Sequence, residues 1–420
     1  MWFSLKYKYK LGWLTSRFLF FQAIIGPGLI TASADNDAPG IATYSMAGSA
    51  YGYAFLWVLL FVTLGESVVQ EMAARMGAVT GKGLADLIRE RFGVRVAFFA
   101  MLCLILANLG TTAAQFAGVA ASLELVGITR YLAVPVAAFL VWLLVVRGSY
   151  HRVEKVLIAL SLFSLSYVIS AFLMHLAWGD ILRQTVMPSF RLDSEYILVL
   201  LAIVGTTITP WGAFYLQATV VDKGVNSDDY PYARLDILTG VVFGNVVSAF
   251  IVICTAAKLF GHTVVNSAAE AAMALVPLAG PWAGVLFGVG LMGASLLAAS
   301  VLPLSTTYAV CEAFGWERGI NREAREAPLF YGLYTLLIIV SAMAVLLPGI
   351  PLFRLMWLSQ SFNAILLPVI LVLMLRIASN PRIMGRHVNP RWVNAVTWGT
   401  TVLITLATLL LFAGPMYSVS

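Results

Sequence analysis

Charge is scarce in this chain of 420 residues. Lys, Arg, Asp and Glu together make up 11% of it, against 60% hydrophobic residues and a mean hydropathy of +0.90. Soluble domains carry about 45–50% apolar residues, and no soluble core could hide the excess. Histidine is scarcer still: His151, His175, His262 and His387 stand at span ends or in loops without ligand spacing, which argues against a histidine-built metal centre. Cysteine is limited to Cys103, Cys254 and Cys311, all inside apolar stretches and without a CxxC pair, so neither a disulfide framework nor a zinc ribbon is expected. No basic stripe interleaved with aromatics is present, which excludes a nucleic-acid footprint. The run Gly77 to Lys82 imitates a phosphate loop, but its glycine spacing is short and Gly83 stands where Ser or Thr is required, so ATP binding is not expected. There is no nucleophile with a neighbouring base and no paired metal-ligand motif, so the chain does not read as an enzyme.

What is present is length after length of apolar sequence near the roughly 20 residues that cross a bilayer. Eleven spans are predicted, at about 18–46, 51–74, 94–124, 131–147, 153–178, 194–222, 236–258, 282–311, 328–348, 351–376 and 392–414. The Lys-rich start ahead of the first span raises a signal-peptide reading, but Asp35 and Asp37 within that stretch and the missing cleavage pattern argue for a span. Placing the N-terminus in the cytoplasm puts every Lys and Arg inside except Arg130, Arg183, Arg191, Lys258 and Arg354, out of 26. An odd number of spans then leaves the C-terminus external, in a multi-pass inner or plasma membrane protein. The external connections at about 179–193 and 259–281 are long enough for short helices, and Arg75 to Arg95 reads as a loop with a short amphipathic helix.

Two spans carry helix breakers and polar residues at mid-membrane depth. In the first, Ala34-Asp35-Asn36-Asp37-Ala38-Pro39-Gly40 interrupts the apolar run, and in the sixth Gly205-Thr206-Thr207-Ile208-Thr209-Pro210-Trp211-Gly212 does the same. Unpaired backbone in hydrocarbon costs several kcal/mol per group, so such breaks persist only where they line a cavity or are buried in protein. The fold expected is an all-α polytopic membrane protein of about 11 helices, a single domain over 1–420. It would hold two inverted five-helix repeats, about 18–178 and 194–376, with broken helices one and six and an extra helix at about 392–414. A carboxylate at the bilayer centre costs about 2.5–3.5 kcal/mol even on the lenient insertion scale, and a cation is the cheapest partner for it. Asp37 and Asp35, with Asn36, the released carbonyls near Ala34 and Thr206, and the hydroxyls of Thr206 and Thr209, form the predicted metal site. The competing use of either carboxylate is to cap the second half-helix, and of either threonine to bond its own preceding carbonyl. Gln360 and Asn363, three residues apart in the tenth span, are candidates for the pathway or for helix packing.

Several segments resemble the NRAMP family of divalent-metal transporters. They are Gly26-Pro27-Gly28 leading to Asp37, then Ala47-Gly48 and Tyr51-Gly52-Tyr53; Met72 to Lys82 continuing through Leu84-Ala85-Asp86-Leu87 to Arg89-Glu90-Arg91; and Leu358-Ser359-Gln360 with Leu367-Pro368. The stretch after the second span is the most distinctive. The resemblance implies alternating-access transport of a metal ion, with that ion as cargo and no cofactor.

The departures from the family pattern bear on the ion. The family's first-span signature Asp-Pro-Gly-Asn becomes Asp37-Ala38-Pro39-Gly40, so an Asn ligand is lost at Gly40, and the family's sixth-span Met is replaced by Thr209. Losing a thioether removes a preference for soft transition metals, and Gly40 and Thr209 leave room for an ion that keeps waters, as magnesium does. Where the family places His, this chain has Trp211 and Leu216 or Gln217; where it places acidic residues in the third span, this chain has Thr112 and Gln115. Those positions do not titrate near neutral pH, so proton coupling is not expected. The reading is Mg2+ uptake without proton coupling, similar to the NRAMP-related magnesium transporters. The alternative is a proton-coupled Mn2+ or Fe2+ transporter, with an Al3+ carrier and a sodium-coupled amino-acid symporter more distant. Its partners would be the divalent ion and the lipid bilayer.

Overall fold

The computed structural model describes residues 36–147, 162–317, 319 and 325–417. Ala34, Asp35 and the first half of the first span, as well as His151, lie outside the described residues. Among the described residues fourteen helices of eight residues or more follow one another: α1 Ala38–Tyr51, α2 Leu56–Thr80, α3 Leu84–Phe92, α4 Val94–Glu124, α5 Arg130–Val146, α6 Leu165–Leu173, α7 Trp178–Val186, α8 Ser194–Thr207, α9 Pro210–Asp222, α10 Tyr230–Leu259, α11 Ala283–Phe314, α12 Pro328–Leu346, α13 Leu352–Ala378 and α14 Arg391–Tyr417. Among the described residues eight helical stretches are long and apolar enough to cross a membrane, α8 with α9 forming one of them, and two shorter apolar helices accompany them. With α1 as the described half of the first, all eleven expected spans are represented. The chain is an all-α polytopic membrane protein whose sixth span is broken at Ile208 and Thr209 and whose first span is described from the Asp37 N-cap onward.

Large apolar side chains such as Phe61, Phe98, Phe139 and Leu403 face outward around the bundle, each more than half exposed, as lipid contact requires and water would penalise. The peripheral α14 buries only 17% of its apolar window. The interior is built around α4, which packs on α11, α13, α12 and α5, while α1 packs on α10, α13 and α8.

Some boundaries differ from those expected. The second helix runs to Thr80 rather than 74, because Arg75 ends the apolar run without ending the helix. Its guanidinium lies 3.2 Å from Glu71 and donates to the His387 carbonyl at 2.8 Å and to Asn389. Gly81, with φ +64°, then supplies the left-handed residue that stops it. The fifth span was expected to reach 178, but α6 ends at Leu173 and a short link separates it from α7. The seventh begins at Tyr230 rather than 236.

The basic end of the bundle is tied together by the stretch after α2. Glu312, near the end of α11, accepts from the Asp86 N–H at 3.1 Å and so caps α3. Arg89 donates to the Ala313 carbonyl at 3.2 Å, and Gln217 of α9 donates to the Lys82 carbonyl at 2.9 Å.

Candidate functional site

The Asp37-Ala38-Pro39-Gly40 sequence starts a helix rather than leaving a long gap. Asp37 is the N-cap of α1: its backbone carbonyl accepts from Ile41 N at 2.9 Å, and its Oδ1 accepts from Gly40 N at 2.9 Å. Proline at the second helical position has no N–H to lose there, which suits an Asp-Ala-Pro-Gly start. The capping use weighed for Asp37 is therefore real, but it occupies one oxygen. Oδ2 accepts a hydrogen bond from the Gln115 amide of α4.

The sixth-span break is narrower than the sequence suggests. Helix α8 continues through Gly205, Thr206 and Thr207, only Ile208 and Thr209 are non-helical, and α9 restarts at Pro210. Helix termini leave the last carbonyls of α8 without intrahelical partners, so the oxygen end of a helix dipole sits at the break. Thr207 turns its hydroxyl onto the Ile203 carbonyl at 2.8 Å. Thr209, the N-cap of α9, makes no such cap bond, and it keeps part of its surface accessible.

From these pieces a circuit of contacts can be traced through four helices, hydrogen-bonded between helices except where α13 and α8 meet backbone to backbone. Asp37 of α1 meets Gln115 of α4. One turn along α4, the Thr111 hydroxyl accepts from Asn363 of α13 at 2.8 Å, and Asn363 also donates to Gln360 Oε1 at 3.0 Å. The Gln360 backbone abuts Gly205 of α8 so closely that a Cβ there would overlap its carbonyl oxygen. Two residues on, Thr207 shares a 3.0 Å hydrogen bond with the Tyr44 hydroxyl, which returns the circuit to α1. Every polar group in the ring is oxygen or amide; it holds no thioether, thiol or imidazole. Gln115 Oε1 and Asn363 Oδ1 are buried acceptors without a hydrogen-bond partner. Buried acceptors are rarely left so; that of Gln115 belongs to the amide that meets Asp37, and both are hard oxygens of the kind a divalent cation takes.

The structure thus joins Asp37 to Gln115, and Asn363 to Thr111 and Gln360, with Gly205 of α8 against the Gln360 backbone. Asn36 is turned elsewhere: its amide donates to the Gly244 carbonyl of α10 at 3.2 Å and its oxygen accepts from Ser248 at 3.1 Å. Gly40 contributes its N–H to the cap. Trp211 is buried in the first turn of α9 against Tyr215, Leu216 lies in an apolar cluster with Ala74 and Val220, and Thr112 is buried on α4.

A sequence model of the Nramp family, described as natural resistance-associated macrophage protein-like, matches residues 28–414. The chain belongs to the Nramp family. Among curated relatives, divalent metal cation transporter MntH 1 of Pseudomonas aeruginosa is 30% identical over 410 residues, covering 92% of this chain and 90% of the relative. Divalent metal cation transporter MntH of Bacillus subtilis is 28% identical, covering 90% and 89%. Of solved structures, the manganese transporter of Eremococcus coleocola superposes with a TM-score of 0.77 at 22% identity, over 96% of this chain and 88% of that one. A nucleobase-cation-symport-1 family transporter superposes with a TM-score of 0.59 at 15% identity, over 92% and 90%. At these identities the structures establish the fold and no more.

Within this Nramp chain several polar residues escaped the sequence reading. Thr111 and Asn108 lie on the Gln115 face of α4, and Asn108 donates to Thr306 of α11 at 2.6 Å. Their spacing of three and four residues was the available signal. Tyr44 gave no signal, and Thr207 was read only as part of the sixth-span break, since their meeting depends on how α1 and α8 pack. Glu66, an ionisable residue in the middle of a span, was a signal overlooked.

Proposed function

We propose that this chain is a divalent metal ion carrier whose cargo binds at mid-membrane between α1, α4, α8 and α13. The observation that carries the reading is the Asp37–Gln115 pair within a ring of oxygens. Asp37 supplies the charge, and the open oxygens of Gln115 and Asn363, the terminal carbonyls of α8 and the hydroxyls of Thr206 and Thr209 supply neutral ligands directly or through waters. Transport proceeds by alternating access, the broken helices rocking against α4 and α13 around the fixed site. The N-terminus lies in the cytoplasm, as the placement of Lys and Arg argues.

An all-oxygen donor set suits hard ions, and carboxylate, carbonyl and water serve magnesium and manganese alike. The donors support Mg2+ without proton coupling, because Gln115 and Trp211 do not titrate. A second reading, a proton-coupled Mn2+ carrier, is favoured by the comparisons, since the curated relatives are named divalent metal cation transporters and the superposed Eremococcus coleocola protein a manganese transporter. Flux into proteoliposomes of purified protein, with Mg2+ and Mn2+ in parallel and a dye reporting internal pH, decides between them. Mg2+ entry under a negative-inside potential without acidification supports the first reading. Mn2+ entry with acidification and no Mg2+ flux establishes the second, and flux of neither ion overturns both.

A further inference from the structure

Outside the ring a second carboxylate lies at mid-membrane depth. Glu66, in the middle of α2, is 1% exposed. Its Oε1 accepts from Gln70 Nε2 at 2.6 Å, and its Oε2 accepts from Asn245 Nδ2 of α10 at 2.6 Å. The two amides are themselves more than nine-tenths buried, and their oxygens, Gln70 Oε1 and Asn245 Oδ1, have no hydrogen-bond partner. A network that only clamped α2 to α10 would be expected to pair both ends of each amide, because open acceptors in a low-dielectric interior are costly.

The two amides are not equivalent. Asn245 Nδ2 also donates to the Val241 carbonyl at 3.0 Å, which fixes its orientation. No second bond of that kind holds Gln70 among the described residues. Turning its terminal amide by half a rotation would replace the donor at Glu66 with Oε1 and set two oxygens side by side. The place is also joined to the first site: Asn245 follows Gly244, whose carbonyl accepts from Asn36, and Ser248 one turn on donates to Asn36 Oδ1, beside Asp37.

Resting on the reading of the cargo as a divalent cation, we propose that Glu66, Gln70 and Asn245 form a second cation-binding station. The Gln70 amide donates to the carboxylate when the station is empty and turns its oxygen to the ion when it is filled. A hard divalent ion suits it, because one carboxylate and one amide oxygen leave several positions for retained water. Asn245 steadies Glu66 Oε2 in both states, and Ser248 with Gly244 keeps the first-span break against the same stretch of α10.

The test is calorimetric titration of the purified full chain with Mg2+, and separately with Mn2+, counting sites in wild type, Asp37→Ala, Glu66→Gln and Gln70→Met. Two ions are expected in wild type, with one lost in Asp37→Ala and the other in Glu66→Gln. Gln70→Met, which keeps the packing volume while removing both amide functions, is expected to weaken the second site about tenfold and leave the first unchanged. This variant decides the matter if Glu66→Gln does not elute as a single species. A single site that disappears in Asp37→Ala and is untouched by Glu66→Gln and Gln70→Met overturns the second station while sparing the first. Binding at both sites undiminished in Asp37→Ala overturns the first assignment, and the Glu66→Gln titration still reports on the second.

Discussion

Asp37 uses its two carboxylate oxygens differently, one closing the first turn of α1 through Gly40 and the other taking the Gln115 amide. Substitution can separate the two uses. Asn caps helices about as well as Asp, whereas replacing a cap by Ala costs about 0.5–2 kcal/mol. Asp37→Asn is therefore expected to melt close to wild type and to carry no ion above the protein-free background, while Asp37→Ala loses both flux and thermal stability. Wild-type flux in a well-folded Asp37→Asn protein would remove the charge from the site. At the other break, Thr209→Met puts a thioether at an accessible N-cap, and competition uptake is expected to shift from Mg2+ toward Cd2+. An unchanged ion ratio would show that Thr209 does not face the cargo. Asp37, Gln360, Asn363 and the threonines were legible because polar residues in an apolar span stand out. Gln115 was noted as a lost acid rather than as a partner of Asp37, and Asn36 was expected beside the ion when its amide serves α10. Single residues announce their polarity but not the direction in which a fold turns them.

At the scale of helices, the close seam is between α8 and α13. Gly205 is needed there for the space it leaves, since any side chain would press on the Gln360 and Ala364 backbone. Overpacking of this kind costs about 1–3 kcal/mol, and here it would push the ring apart. Gly205→Ala is expected to lower the melting temperature by several degrees and to depress flux further than the stability loss alone accounts for. Normal flux would place the moving seam elsewhere. The sequence located the sixth-span break but overestimated its length, because Gly, Thr and Pro were read as non-helical throughout. Gly205 and Thr206 stay helical within the packed end of α8, and Pro39 and Pro210 sit in first turns where proline is tolerated. The same reasoning cut α2 short at Arg75, since charge marks where a run of lipid-facing residues ends and not where backbone hydrogen bonding does.

For the molecule as a whole, the composition alone dictated a helical membrane bundle, and two breaks five helices apart are what suggested an inverted repeat. The packing order of the helices, which makes α4 central and α14 peripheral, depends on side-chain shape along each face and was not legible. Sidedness can be checked by labelling intact cells with an impermeant maleimide, as the natural Cys103, Cys254 and Cys311 are all buried. Gln184→Cys is expected to label from outside and Lys82→Cys only after permeabilisation; the reverse pattern would invert the orientation. The ring has one more consequence for the transport cycle. The bonds from Asp37 to Gln115 and from Tyr44 to Thr207 fasten the two moving helices to each other and to α4. An ion bound at Asp37, as proposed, would compete for the oxygen that takes the Gln115 amide and so loosen α1 from α4 on arrival. On that proposal the unladen protein would be the slowest form to reorient, one-for-one exchange of ion across the membrane would outpace net accumulation, and the empty carrier would act as its own brake.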